Sequence, residues 1–497
     1  MSNSAFEFDE IYVISDTHMG GGAGAQIFDA GKLLAQTIDL LAETSPRSRV
    51  ALVINGDSVD FIAEPNPVYF DPTGAASRLE RIMTDIAFKP VFDSLAKFIS
   101  KKRRSLIFNL GNHDLELAIP DVREQLLSIL TGGDETLRGR VHLVFDGEGV
   151  HCLVGSAQVL CLHGNEVDTW NICDYEELRL QARDLNLGLT RKAWVPNAGT
   201  KMVIDIMNGV KKKFPFVDLL KPEKEAVVPT LYALDPSVKS KLSGVFSIVG
   251  RLTKDSIRRF AGFLEGTAGE MEIVDAAGGQ QALDRVLANA FSESPRKASA
   301  GMDESANLLL ETERRFRNLE DPRDMLGSGS ELETLGTGGA IVDWFRGRPK
   351  DEILREALEG LAEDKSFDLD HKDATFVEID KLVGRQIDFT ITGHTHQRRA
   401  LQRPNGRYYY NSGTWVRLIR LIPDVLGDAE KFKRYFSAFE KGTMAALDNE
   451  PGMILRAPTV VAVRARGGEV EGALCEATLK SSGVVLQEVP NSKFVKR

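Results

Sequence analysis

The stretch IYVISDTH, residues 11–18, decides the fold of this chain. It is a short, continuous apolar run that leads into Asp16 and His18, and the glycines 20–22 follow it. A run of this kind, bounded by glycines, predicts a buried strand that ends in a loop. Asp16 and His18 would then present a carboxylate and an imidazole to one point at the edge of a sheet.

The same pattern of an apolar strand followed by a polar cluster recurs four times further along the chain. The clusters are GDSVD (56–60), GNHD (111–114), HGN (163–165) and GHTH (393–396). Their strands are predicted over Val50–Ile54, Ser105–Leu110, Gln158–Leu162 and Gln386–Thr392. Helical spacing over Ile27–Leu41 and Phe88–Phe98 separates the early strands, which is typical of α/β proteins, whose chemistry collects at the carboxyl ends of the strands.

The pattern changes between residues 170 and 375, where helical periodicity dominates and the strand-and-cluster unit is absent from the sequence. We therefore predict a first core part over 1–169, a mainly helical insertion over 170–375 and a second core part over 376–497. The insertion would contain a disordered segment near 292–340. The last residues, Val489–Arg497, would be a frayed tail after two closing strands. Helices are predicted over Tyr175–Leu187, Lys201–Lys212, Lys254–Leu264, Gln280–Phe291 and Lys350–Ala362.

The composition of the 497 residues is that of a soluble globular protein, with 42% hydrophobic and 27% charged residues. The net charge of -10 argues against a protein that coats nucleic acid. The four cysteines lack CxxC spacing and are expected to be reduced thiols. The N-terminal stretch does not resemble a signal peptide, and the sequence contains no apolar run long enough to span a membrane. A cytoplasmic location is expected.

Histidine is concentrated in the polar clusters, which contain five of the eight histidines of the chain. The potential ligands are imidazole nitrogens, carboxylate oxygens and one amide oxygen, without a thiolate. This set suits Mn²⁺, Fe or Zn²⁺ and not an all-oxygen magnesium or calcium site. The clusters hold too many ligands for one ion and about enough for two.

The ordered series DxH, GDxxD, GNHD, H and GHxH resembles the calcineurin-like metallophosphoesterase family at every block. The matching segments are Ile11–Asp60, Ser105–Asp114, Val159–Asp168 and Gln386–Trp415. The resemblance implies an α/β fold, a β-sandwich flanked by helices and interrupted here by the helical insertion, with two divalent metal ions at one edge. The UDP-2,3-diacylglucosamine pyrophosphohydrolases of this family are similar in having a helical cap in the same interval. They usually show GNRD where this sequence has GNHD, and the insertion here is longer.

The resemblance also implies a role for each residue of the clusters. Asp57 would bridge the two metals, and His113 would stay free of metal and donate a proton or a hydrogen bond to the leaving oxygen. Asp114 would hold the His113 ring, and Asp60 and Asp168 would support the ligands from outside. The metal ligands implied are Asp16, His18, Asp57 and His396 for one ion, and Asp57, Asn112, His163 and His394 for the other.

The chemistry expected of such a site is hydrolysis of a phosphate ester. Two cations about 3.5–4 Å apart acidify a shared water, and the resulting hydroxide attacks phosphorus while the cations neutralise the phosphoryl oxygens. Manganese is the expected metal, with Fe, Zn, Co or Ni as alternatives. The substrate would be a phosphomonoester, a phosphodiester or a pyrophosphate of a small or lipid-linked compound, and the insertion would act as a lid that selects it.

Two other functions stay open. One is a metal-dependent DNA nuclease similar to the double-strand-break repair nucleases of the family, which share GNHD; the acidic net charge disfavours nucleic acid as a partner. The other is a non-catalytic scaffold that binds a partner through the insertion, and the presence of His113 disfavours it.

Three further segments are candidates for binding or for supporting the site. The basic and aromatic segment Lys211–Val217 would meet a phosphate-bearing or membrane-surface ligand, a peripheral contact. One of Arg398, Arg399 and Arg403 would clamp a phosphate. Asn411 and Ser412 would brace the site or simply form a turn. The sequence does not indicate an oligomeric state.

Overall fold

The computed structural model describes residues 6–22, 24–168, 170–189, 193–221, 223–235, 349–359, 361 and 364–496. In these residues two β-sheets pack face to face, and helices cover the outer face of each sheet. The predicted α/β fold class, a β-sandwich flanked by helices, is confirmed. The predicted helices at 254–264 and 280–291 and the predicted disordered segment at 292–340 lie outside the described residues.

The larger sheet contains the strand of the deciding stretch. Its strands are β2 (Glu10–Ile14), β3 (Val50–Asn55), β4 (Arg104–Asn109), β5 (Val141–Val144), β14 (Thr459–Arg466), β15 (Glu469–Lys480), β16 (Gly483–Glu488) and β17 (Phe494–Lys496). They follow the order β16-β15-β14-β2-β3-β4-β5, and β17 pairs with β15. The frayed tail predicted for residues 489–497 is therefore wrong over β17, because Phe494 to Lys496 complete a ladder with Val470 to Gly472.

The second sheet brings the later clusters to the sandwich. Its strands are β1 (Phe6–Phe8), β6 (Val150–Val154), β7 (Ala157–Cys161), β9 (Phe389–Thr392), β10 (Arg399–Arg403) and β11 (Arg407–Asn411), in the order β1-β6-β7-β9-β11-β10. Strands β7 and β9 are parallel neighbours although the whole insertion separates them in sequence. The HGN and GHTH clusters therefore leave the sheet side by side.

Alternate residues of each central strand face opposite layers, as the pleat of a strand requires. Ile11 and Val13 pack between the two sheets, whereas Tyr12 and Ile14 pack against helices. Burial on both faces explains why these strands read as unbroken apolar runs. The helices on the outer face of the larger sheet are Gly31–Glu43, Ala75–Thr84, Lys89–Ser100, Pro120–Thr131 and Glu135–Arg138, and helix Ala374–Leu382 lies on the outer face of the second sheet.

A separate apolar cluster, which we call the cap cluster, joins the insertion to residues 418–455. Phe216, Leu220 and Leu354 of the insertion pack with Phe436 and Phe439 of the later segment. The prediction placed all of 376–497 in the sandwich. The structure differs over residues 418–455, because the helices of this segment bury their apolar faces against the insertion. The elements of this part are the helices Tyr175–Asn186, Ala198–Met202, Val203–Met207 (a π-helix), Asn208–Lys211, Glu223–Leu234, Lys350–Ala357, Pro423–Leu426, Ala429–Lys441 and Met444–Asp448, and the strands β8 (Leu220–Lys221), β12 (Leu418–Arg420) and β13 (Ile454–Leu455).

The order of the small sheet in this part is β13-β12-β8, so that one strand of the insertion pairs with one of the later segment. Among the described residues, no helix combines the length and the apolar character that crossing a membrane requires.

Candidate metal centre

The predicted ligands meet at one rim of the sandwich. Strands β2, β3 and β4 run parallel, so the loops that carry Asp16, Asp57 and Asn112 leave the same edge of the larger sheet. The loops after β7 and β9 bring His163 and His394 to that edge from the second sheet. Potential ligand atoms within 4.8 Å of one another form three groups in the described residues: Asp16, His18 and His396; His18, Asp57 and His113; and Asp57, His163 and His394.

The distances between potential ligand atoms show how Asp57 links these groups. Its Oδ2 lies 3.6 Å from His18 Nε2 and 3.2 Å from His163 Nε2. On the side of His18, Nε2 lies 3.0 Å from His396 Nε2, and His396 Nε2 lies 3.5 Å from Asp16 Oδ1. One carboxylate thus faces ligand atoms on both sides, which is the arrangement that a pair of ions sharing a bridging ligand requires.

The backbone is strained where these ligands sit. Of the ten non-glycine residues with positive φ among the described residues, five are predicted ligands. Positive φ is uncommon outside glycine, costs about 1–3 kcal/mol at each residue and clusters at functional sites. Since stable packing does not require this conformation, it points to selection for the position of the side chains. The five residues are Asp16 (φ 52°), His18 (44°), Asp57 (49°), His394 (69°) and His396 (62°).

Two glycines allow the loops to approach one another closely. A Cβ on Gly111 would stand 2.6 Å from the backbone nitrogen of Asp57 and would also meet its carboxylate. A Cβ on Gly393 would meet the carboxylate of Asp16 and lie 2.7 Å from Ser15 Cβ. Glycine is therefore required at both positions for the ligand loops to pack.

Hydrogen bonds orient three of the imidazoles. His18 Nδ1 lies 3.1 Å from Asp60 Oδ2, and His163 Nδ1 donates to the carbonyl of Asn55 at 2.8 Å. His394 Nε2 lies 2.8 Å from Asp168 Oδ2. In each ring one nitrogen has a protein partner that fixes its orientation, and the other nitrogen is left for a metal, as in most metal-binding histidines.

The charges of the site are strongly perturbed. Burial raises the pKa of the Asp16 carboxyl. Burial also opposes the charge of Asp57, but the neighbouring His163 and His113 hold the pKa of that carboxyl well below its usual range. Burial, together with the charges of Lys221 and His18, pushes the pKa of His396 well below its usual range, so this ring is neutral, as a ligand must be. Burial of these carboxylates beside imidazole rings forms a site that a cation would stabilise.

Asn112 supplies the amide oxygen of the predicted set. Its Oδ1 is buried without a hydrogen-bond partner among the described residues, whereas its Nδ2 donates to Asn171 Oδ1 at 3.4 Å. An unpaired buried oxygen costs about 1–3 kcal/mol unless something else satisfies it. A metal ion would satisfy this oxygen, so Asn112 fits the ligand role.

The roles predicted for Asp60 and Asp114 need one correction. Asp114 does not hold the His113 ring: its Oδ1 accepts from the Gly111 amide at 2.7 Å and its Oδ2 from the Ser58 amide at 2.8 Å. Asp60 Oδ2 instead lies 3.1 Å from His113 Nδ1, the same oxygen that contacts His18. Asp114 cannot reach the ring because it ties the GDSVD loop to the GNHD loop.

His113 borders the site and is partly open, with 19% of its side chain exposed. Burial works against a charge on the ring, but Asp60 and Asp57 outweigh it and raise the pKa of His113 to about 9. The ring is therefore protonated near neutrality and can donate a proton. His113 also belongs to one of the three ligand groups, so its position alone allows metal binding as well.

Two supporting residues were not predicted from the sequence. Asn171 joins two predicted residues, since its Nδ2 donates to Asp168 Oδ2 at 2.7 Å while its Oδ1 accepts from Asn112. The carboxylate of Glu166 accepts hydrogen bonds from the amides of His163 and Gly164 at 3.0 and 2.6 Å. Hydrogen bonds that side chains make within and between loops have no repeating sequence signal, which explains both omissions.

Asn411 and Ser412 do brace the site. Asn411 Nδ2 donates to the carbonyl of Gly393 at 2.6 Å, and Ser412 Oγ lies 2.6 Å from Ser15 Oγ. These bonds tie the loop after β11 to the loops that carry Asp16 and His394.

Two of the three arginines considered for anion binding have structural roles instead. Arg399 is buried and bonds Asp373, and Arg403 bonds Asp380 at 2.6 Å. Arg398 pairs with Glu476 at 2.5 Å. The predicted clamp is wrong for Arg399 and Arg403, whose side chains are buried in these ion pairs, and it stays a prediction for the partly exposed Arg398. The aromatic residues of Lys211–Val217 are buried in the cap cluster and cannot contact a membrane surface.

The comparison with known families agrees with the geometry. Residues 10–217 match the family model described as calcineurin-like phosphoesterase. The match contains the first four clusters and ends before GHTH. Strand β9 places GHTH at the same rim as the other clusters, because it pairs in parallel with β7. Among curated proteins, none matches the chain significantly.

Proposed function

We propose, since residues 10–217 are a calcineurin-like phosphoesterase domain, that this protein hydrolyses phosphate esters with two divalent metal ions, manganese being the best candidate. The observation that carries the proposal is the meeting of ligand atoms around Asp57, with five of the predicted ligands in strained backbone. The donors are imidazole, carboxylate and amide, which fits manganese, iron or zinc. Structural stability alone would not require this concentration of strain.

Each residue of the site has one of three roles: metal ligand, proton donor or support for a ligand. Asp16, His18, Asp57 and His396 would hold one ion, and Asp57, Asn112, His163 and His394 the other. Bound there, the ions would acidify a water and neutralise the phosphoryl oxygens. Asp60 contacts Nδ1 of His113 and so fixes the orientation of the ring. The Nε2 of His113 is then left to give a proton to the leaving oxygen. Asp168 and Asn171 hold His394 and Asn112 in place from behind.

The test is hydrolysis of p-nitrophenyl phosphate and bis-p-nitrophenyl phosphate by protein loaded with Mn, Fe, Co, Ni or Zn. We expect release of p-nitrophenol with at least one metal, and two metal ions per chain by elemental analysis. The variant Asp57→Asn should lose both. The variant Asp121→Asn, which changes an exposed aspartate in the first turn of helix Pro120–Thr131, should keep both.

Failure of every metal to support turnover, with two ions still bound, would favour the non-catalytic scaffold. Degradation of linear DNA by the wild type and not by Asp57→Asn would favour the nuclease. The relative rates on the two nitrophenyl esters distinguish a monoesterase from a diesterase.

A further inference from the structure

A cavity of about 110 Å³ opens beside the metal centre. The predicted metal ligand His396 is among its lining residues, together with Phe367, Arg420 and Leu455. By volume it would hold three or four water molecules at about 30 Å³ each. A group of that size attached to a phosphate ester would enter the cavity while the phosphate lies at the rim.

Arg420 is the distinctive residue of this cavity. It ends strand β12, and its guanidinium lies over the ring of Phe367, 4.9 Å from the ring centroid. Arg398 also lines the cavity but pairs with Glu476, whereas the side chain of Arg420 has no ion pair or hydrogen bond with any described residue. Stacking on one face leaves the edge of the guanidinium, with its N–H donors, for a ligand.

The surroundings of Arg420 favour a negative ligand. No acidic side chain is among the described residues that line the cavity. Lys221 lies opposite Arg420 in the register of β8 and β12, which adds a positive charge to this side of the site. Val416, Leu418 and Leu455 give the cavity an apolar wall, and Gln397 and Thr414 line it as neutral polar groups. A positive group beside an apolar wall selects an anion carried by a short apolar chain.

We propose that this cavity binds a second oxyanion of the substrate through Arg420, so that the preferred ester carries a carboxylate or a second phosphate besides the phosphate that is hydrolysed. This inference rests on the proposed phosphoesterase function and narrows it to a substrate class. Arg420 comes from the segment that joins the cap cluster, so specificity would be set outside the part matched by the family model.

The activity experiment compares three sets of esters at several chain lengths: n-alkyl phosphates, ω-carboxyalkyl phosphates and alkanediol bisphosphates. Mn-loaded wild type should show a kcat/KM at least tenfold higher for one doubly anionic ester than for the alkyl phosphate of the same length. Which set gives the gain distinguishes a carboxylate from a phosphate as the second group. In Arg420→Gln the ratio of kcat/KM for the doubly anionic ester to that for the alkyl phosphate should fall by about tenfold or more, because the charge-assisted hydrogen bonds to the second anion are lost.

Two further variants and a matched control separate recognition from folding. Arg420→Lys keeps the charge but not the planar donor pair, and Phe367→Leu removes the stacking surface, so both should reduce the ratio in part. Arg385 is an exposed arginine just before β9, at the end of that strand away from the site. The control variant Arg385→Gln should keep the wild-type ratio of kcat/KM for the doubly anionic ester to that for the alkyl phosphate.

A binding experiment keeps this inference distinct from the proposed function. The phosphonate analogues of the three sets cannot be hydrolysed, and their Kd values for Mn-loaded protein are measured by calorimetry. If the wild type hydrolyses no ester but the Kd preference for a second anion disappears in Arg420→Gln, the cavity assignment stands and the hydrolase fails. If Arg420→Gln keeps the wild-type preference in both experiments, the cavity assignment is overturned whether or not the esters are hydrolysed.

Discussion

At the scale of single residues, the site depends on a few side chains with two partners each. Asp57 faces His18 and His163, and one oxygen of Asp60 contacts both His18 and His113. A residue that serves two neighbours cannot be changed without moving both. Substitutions here should therefore be distinguished by which of two properties they remove, metal content or turnover.

A substitution at His113 should affect turnover without affecting metal content. The variant His113→Asn should lower kcat by about 10²- to 10⁴-fold, because it removes the proton donor, and should keep two metal ions per chain. Elemental analysis and turnover with p-nitrophenyl phosphate measure the two effects. Loss of one ion in the variant would show that His113 is a ligand, as its place in a ligand group allows.

Glu116 should make stability depend on pH away from the metals. It is buried in the 3₁₀ turn Leu115–Ala118, and burial raises its pKa to about 8, although Arg78 opposes the shift. The folded chain thus holds a proton that the unfolded chain releases near pH 4.5, so this group lowers the free energy of unfolding as pH rises from about 4.5 to about 8. Glu116→Gln should gain stability over the wild type across that window, by at most about 1.4 kcal/mol per pH unit.

Urea unfolding of the wild type and of Glu116→Gln at several pH values measures this effect. The exposed Glu148 in the turn before β6 provides the control Glu148→Gln, which removes a carboxylate at the surface. A difference between Glu116→Gln and the wild type that stays constant with pH would contradict the assignment.

At the scale of elements, parallel strands and tight loops assemble the site. The loops after β3 and β4 pack so closely that Asp57 Oδ1 accepts from the amide of His113 at 2.9 Å, and Gly111 has no space for a side chain. The rim is therefore set by loop-to-loop bonds that the strand ends bring into range.

Gly111→Ala tests this packing. The added Cβ would collide with the backbone of Asp57, so the variant should lose metal and lower the free energy of unfolding by about 1–3 kcal/mol. Gly209→Ala is the control, because its Cβ would meet no atom within 4 Å. Metal content and thermal unfolding of both variants provide the measurement, and full metal content in Gly111→Ala would refute the packing argument.

The same elements show what the sequence could predict. Strands β2, β3, β4, β7 and β9 are mostly apolar, and each leads into polar residues, so the strands and the ligand residues could be recognised together. The carboxylate that contacts His113 could not be predicted in this way. Asp60 and Asp114 occupy equivalent places after neighbouring strands, and only the hydrogen bonds within the loops determine which of them reaches the ring. Arg420 gave no signal either, since a lone arginine at a strand end is common on surfaces.

At the scale of the whole molecule, the chain has two kinds of apolar core. The sandwich and its helices contain every predicted metal ligand, whereas the cap cluster joins the insertion to residues 418–455. The sequence predicted the insertion from its change of periodicity. It could not show that a later segment would join the insertion, because amphipathic helices such as Ala429–Lys441 do not reveal which apolar surface they cover.

The cap cluster should unfold separately from the sandwich. Phe439 is fully buried in it, with its ring centroid 4.9 Å from that of Phe216, and Phe439→Ala should cost about 3–5 kcal/mol. Hydrogen exchange should then accelerate in residues 214–221 and 418–441, while β2, β3 and β4 keep their protection and the chain keeps two metal ions. Phe98→Ala leaves an equivalent cavity beneath the larger sheet. In this variant hydrogen exchange should accelerate in β2, β3 and β4, while residues 214–221 and 418–441 keep their protection. Equal acceleration in both cores by either variant would mean that the molecule unfolds as one unit, and that the cavity at Arg420 and the metal rim are energetically inseparable.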